Sequence, residues 1–377
     1  MSTATKPSNA QLAYDQYGQS IWYDNVQRRL LRNGHFKELV AAGVRGCTSN
    51  PTIFEKAIAG SADYDSALQD LVSEGHSAEQ IYLALVREDI RDTADILRPI
   101  YDASQGADGY VSIEVSPNLA KDTEATVAEA KRLHGLIERP NLMIKIPATE
   151  QGLPAVTRTV AAGISVNVTL IFSVEQYRQV ALAYVEGLEL AAKAGLNLSR
   201  IASVASFFIS RIDSAVDAQL KTKGAHAEAL LGKAAIANGK QAYALFKEIF
   251  SSSRFAALRK AGARPQRVLW ASTGTKNPAY PDTLYVDGLI GPDTVNTVPP
   301  QTLDAFQDHG QPRASLEQGQ ADADRVISEL ERLGIPLGPV CQKLLDEGVA
   351  AFMKSMASLM DVIASRRQAL LNAGTAK

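Results

Sequence analysis

The chain has 377 residues, 46% apolar and 21% charged, with a net charge of −2. These values are ordinary for a globular chain and leave no global field to draw it to nucleic acid or anionic lipid. No run of about 18 consecutive apolar residues is read from the sequence, so no membrane span is expected.

The first residues, MSTATKPSNAQ, are polar and lack an apolar signal core. Residues 1–11 are expected to be a disordered lead and residues 12–377 one catalytic domain. From there, short apolar runs alternate with longer segments of helical period. Candidate strands are 20–23, 44–48, 110–115, 142–146, 166–172, 201–208, 268–270 and 294–298. Helical spacing covers 78–101, 123–137, 174–194 and 225–249. Two further helices, 322–333 and 341–371, follow the last strand. Eight strands alternating with helices predict an α/β protein, a single closed (β/α)8 barrel of TIM type with additional C-terminal helices. No GxGxxG follows the first strand and no GxxxxGK[ST] occurs, which disfavours the nucleotide-binding α/β folds. Cys47 and Cys341 are far apart, which points to a reducing, cytoplasmic setting rather than a disulfide framework. The five histidines form no HxxH or HExxH, so no metal is expected.

The fourth strand, NLMIKIPAT, places Lys145 inside a run of buried character. An unpaired buried ammonium is costly. The escapes are an ion pair with a carboxylate, a side chain that reaches out from the strand end, or loss of the proton, and a neutral amine is a nucleophile. In a barrel, chemistry sits at the carboxyl ends of the strands. Those ends carry Asp24, Asn50, Glu114, Lys145, Asn167 and Thr169 (same-face alternates), Ser206 with Arg211 behind it, and Ser272 with Lys276. Seven strands delivering polar groups to one rim exceeds what a packed core requires. By residue type, Lys145 is a Schiff-base nucleophile, and Asp24 and Glu114 are carboxylates for separate acid–base tasks. Asn50, Asn167, Thr169 and Ser206 suit hydroxyls and a water. Arg211, Ser272 and Lys276 suit a phosphate near helix starts. The ligand that fits is a polyhydroxylated sugar phosphate. No cofactor is needed, because a protonated Schiff base is itself an electron sink.

The segments IWYDN (21–25), GCTSNPTIFEKAI (46–58), SIEVSP (112–117), MIKIPAT (143–149), VNVTLIFS (166–173) and SFFISRID (206–213) resemble transaldolase, in the longer bacterial and cyanobacterial type. Residues 269–299 are similar to that subgroup as well, and the resemblance spans roughly residues 12–370. It implies a Schiff base on Lys145. It also implies transfer of a dihydroxyacetone unit from sedoheptulose 7-phosphate or fructose 6-phosphate to glyceraldehyde 3-phosphate or erythrose 4-phosphate. In that scheme Glu114 moves protons through a water held by Thr169, and Asp24 takes the C4 hydroxyl proton. Asn50, Asn167 and Ser206 hold the three-carbon enamine, while Arg211, Ser272 and Lys276 bind phosphate. Lys276 departs from the arginine expected from shorter relatives, keeping the charge but losing the bidentate fork. Two other readings share these residues: an aldolase that releases dihydroxyacetone to water, and a silent sugar-phosphate binder. Monomer and homodimer both stay open, with 306–316 and 349–371 able to make a subunit contact or to cap the barrel.

Overall fold

A computed structural model describes residues 7–375. Eight parallel strands close into a barrel in sequence order. They are β1 (Gln19–Tyr23), β2 (Val44–Thr48), β3 (Val111–Glu114), β4 (Leu142–Pro147), β5 (Val166–Ile171), β6 (Ser203–Phe208), β7 (Arg267–Ala271) and β8 (Thr294–Val298). Alternation along each strand divides the residues between two faces. Ile144, Ile146, Val166 and Val168 point outward beneath the helices and are fully buried. That burial is worth roughly 1.5–3 kcal/mol per side chain. It lets β4 and β5 carry polar groups inward, where a buried ion pair adds little or nothing net.

Pairing is uneven around the ring. β6–β7 and β8–β1 each run five residues in continuous register. β2 is held by two register pairs to β3, Cys47 to Val111 and Thr48 to Ser112, and its register to β1 shifts between Ile21 and Tyr23. At the end away from the strand carboxyl termini, buried Asp108 gathers Ser20 Oγ, Trp22 Nε1 at 2.8 Å, Arg45 Nε at 2.9 Å and Arg267 NH2 at 3.3 Å. This ties β1, β2 and β7 together across the barrel floor. Gly46 is required there, since a Cβ would lie 2.4 Å from the Trp22 ring.

Three expectations change. The first helix, Asn9–Tyr17, starts within the stretch expected to be disordered, because Ser8 and Gln11 form a reciprocal capping box and Gly18 closes it with φ 69°. Residues 1–6 of that lead lie outside the described residues. The expected helix 225–249 divides into a 3-10 segment, Ala225–Leu230, and a helix, Ala234–Ser251, with Gly232 at φ 70° between them. The last helix begins earlier than expected, at Leu337, and runs 39 residues to Thr375. Pro339 falls in its first turn, where no intrahelical N–H bond is lost. By length and composition Leu337–Asn372 is apolar enough to cross a membrane, yet its Val349, Phe352, Leu359 and Ile363 are buried in the chain's own hydrophobic core. This helix lies over the barrel mouth.

Candidate active site

Register brings the site together. Glu114 pairs with Lys145, and Lys145 with Asn167, so three inward side chains stand abreast on β3, β4 and β5. Lys145 is 4% exposed. Its Nζ lies 3.4 Å from Glu114 Oε2, an ion pair whose geometry falls short of a hydrogen bond, and it donates to the Ser49 carbonyl at 3.2 Å. The carboxylate partner that buries this lysine is therefore also a potential proton carrier beside it. Neither Glu114 oxygen has a hydrogen-bond donor among the described residues, and Thr169 Oγ1 is likewise buried without a partner. Burial pushes the Glu114 carboxyl above its ordinary range; Lys145 pulls it back and Asp24 pushes it further up.

Asp24 follows β1 on the opposite wall. Its Oδ1 accepts from Thr48 Oγ1 at 2.6 Å, and that hydroxyl is 2.6 Å from Thr297 Oγ1. Because Thr48 spends its one proton on Asp24, Thr297 must donate to Thr48. Burial raises the Asp24 carboxyl, while Lys145, the Thr48 hydroxyl and Lys276 lower it. Asp24 keeps some solvent contact, through the cavity it lines.

The cavity holds about 450 Å3 and is lined by Asp24, Asn50, Lys145, Thr169, Ser206, Arg211, Ser272 and Lys276 among others. Two predicted residues are elsewhere. Asn167 is fully buried below it, donating to Ser112 Oγ at 3.2 Å and accepting from Ser206 Oγ at 2.6 Å. Glu114 touches Lys145 from behind. Asn50 caps the helix Pro51–Ala59 by accepting from Ile53 N at 3.0 Å. Leu170 and Ser272 hold left-handed backbone at φ 61° and 55°. Leu170 adjoins Thr169, where β5 shifts register against β6, and Ser272 itself lines the cavity.

Sequence reasoning missed Thr297, Lys56 and Phe352. Thr52 and Lys56 stand four apart on the helix that Asn50 caps, a spacing that puts both on the cavity wall. Lys56, after β2, and Arg211 and Lys276, after β6 and β7, bring positive charge to the cavity from different sides of the ring. Arg211 makes no hydrogen bond or ion pair among the described residues; its guanidinium lies over the Phe208 ring, 5.4 Å from the centroid, and burial lowers its pKa. Cys47 is buried, donates to the Asn25 carbonyl at 3.2 Å, and burial raises its thiol pKa, so it is a small core residue. A cavity of about 490 Å3 lies at the opposite end. Its Arg267 is already bound to Asp108 and Ser20, and it contains no amine beside a carboxylate.

Among known proteins, residues 21–363 match the family model described as transaldolase/fructose-6-phosphate aldolase. A protein of Thermobifida fusca named transaldolase is 53% identical over 352 residues, 93% of this chain and 96% of that protein. One of Trichodesmium erythraeum with the same name is 49% identical over 94% of this chain and 96% of its own length. One of Streptomyces avermitilis, named transaldolase 1, is 50% identical over 92% and 93% respectively. The chain belongs to the transaldolase/fructose-6-phosphate aldolase family and is a transferase of the transaldolase type.

Proposed function

We propose that Lys145 carries the donor as a Schiff base and that the enzyme moves a dihydroxyacetone unit from a ketose phosphate to an aldose phosphate. Sedoheptulose 7-phosphate or fructose 6-phosphate would be the donor, and glyceraldehyde 3-phosphate or erythrose 4-phosphate the acceptor. The observation that carries this reading is the buried Lys145–Glu114 pair at 3.4 Å in a cavity whose far wall holds Asp24.

Lys145 Nζ attacks the donor C2 carbonyl. Glu114, with a water bonded to Thr169, protonates the departing C2 hydroxyl, so water leaves and the iminium forms. Asp24 takes the C4 hydroxyl proton. The C3–C4 bond breaks, its electrons flow into the iminium, and the aldose leaves. The enamine on Lys145 then attacks an acceptor aldehyde, and the steps reverse. Asn50 and Ser206 hold the hydroxyls of the three-carbon unit, with Asn167 orienting Ser206 from below. Arg211, Lys276 and Ser272 receive the phosphate.

Borohydride reduction in the presence of fructose 6-phosphate, followed by peptide mapping, tests this. A stable three-carbon adduct on Lys145 is expected, with nearly all turnover lost in Lys145→Met. A folded chain that forms no adduct refutes the lysine mechanism. The family description also covers cleavage of fructose 6-phosphate without an acceptor. Product formation that requires an acceptor aldehyde separates transfer from that reaction.

A further inference from the structure

Phe352 reaches the cavity from outside the barrel, on the helix Leu337–Thr375. It is 5% exposed, and its ring centroid lies 5.7 Å from Lys145 Nζ. The helix that carries it is held on both sides of the mouth. Cys341 Sγ donates to the Phe172 carbonyl after β5, and Ser355 Oγ lies 2.8 Å from Thr52 Oγ1. Further along, Arg366 NH1 donates to the Ile58 carbonyl and Arg367 Nε to the His76 carbonyl. One turn before Phe352, Gly348 allows close seating: a Cβ there would come within 2.9 Å of the Leu170 side chain.

The enamine on Lys145 can be lost by a second route. Its C3 carbon takes a proton, water adds to C2 of the resulting iminium, and the C2–N bond breaks with the electron pair returning to nitrogen. Free dihydroxyacetone departs and Lys145 is regenerated, with no redox change. Transfer therefore requires that C3 stay unprotonated, and that water other than the one bonded to Thr169 be kept from C2, until an aldehyde arrives. Most side chains that line the cavity are polar and would hold water. The Phe352 ring offers water no partner, and its face favours the cationic iminium.

We propose that Phe352 is a specificity-determining residue that shields the carbon bound to Lys145 and so makes the enzyme a transferase rather than a hydrolysing aldolase. This rests on the Schiff-base reading above. The test compares wild type, Phe352→Ala and Phe352→Leu. Each is assayed for dihydroxyacetone released from fructose 6-phosphate alone and for transfer to erythrose 4-phosphate. The ratio of release to transfer is expected to rise about tenfold in Phe352→Ala and less in Phe352→Leu, as water gains access to the intermediate. A purely structural role would lower both rates together. A ratio at the wild-type value in every variant that folds overturns the proposal. Borohydride adducts are measured on the same samples. Adducts with an unchanged ratio refute the role of Phe352 alone, whereas no adduct on wild type refutes the Schiff base.

Discussion

Thr48 donates to Asp24 and accepts from Thr297, so the basicity of one carboxylate is set by a hydroxyl chain reaching across to β8. A hydrogen bond to a charged group is worth about 1.5–3 kcal/mol, or roughly one to two pH units. Thr48→Val removes it and keeps the shape. The bond favours the ionised form, so its loss raises the Asp24 pKa and leaves less base at a given pH. The acid limb of the kcat/KM profile is expected to move up by about one unit. A limb that stays in place would mean that Asp24 is not the group titrating there. Residue-scale chemistry of this kind was partly legible. Lys145 stands out because a charge in a buried-strand pattern needs a reason. Asp24 and Glu114 stand out by their place at strand ends. Thr297 did not, because threonine in a strand is ordinary propensity.

At the scale of elements, the helix Ser210–Leu220, which carries Arg211, is joined to its neighbours by a buried carboxyl. Asp213 accepts from Ala235 N at 2.8 Å and from Tyr285 OH at 2.9 Å, and burial raises its pKa from 3.8 to about 6. The folded chain thus holds this proton more tightly than the unfolded chain does. The stability it contributes is complete below 3.8 and is lost as pH rises through about 6. Asp213→Asn keeps an acceptor and removes the titration. Relative to the parent, the variant is expected to gain up to about 3 kcal/mol between pH 4 and pH 8. Denaturant unfolding at those two pH values checks it, and a parallel loss at both would contradict the assignment. Strand positions were readable because doubly covered parallel strands are nearly continuous apolar runs. The helix Gly152–Ala161 was not, since its GLPAVTRTVA carries a glycine, a proline and two threonines against helical propensity. The role of the last helix was hidden for a different reason. Nothing in the period of 341–371 tells which apolar residue faces a lysine about 200 positions earlier.

The whole molecule divides into a chemical end and a structural end. Lys145 and the cations surround one mouth, and Asp108 with its ring of donors closes the other. The order of the strands around the barrel was foreseeable from the alternation of elements; the differing strength of the pairings between them was not, because register depends on contacts distant in sequence. β2 is the least firmly laddered strand. Native-state hydrogen exchange is expected to reach the amides of β2 through smaller openings than those of β6. Equal or reversed protection would show the ring to be uniform. If β2 is the slack stave of the barrel, breathing is directed to one side of the mouth. Thr48 ends that stave and restrains Asp24, while Lys145 and Glu114 hang on strands paired in unbroken register. On the Schiff-base reading proposed above, an aldose would then come and go past a yielding wall while the three-carbon fragment stays moored to a rigid one.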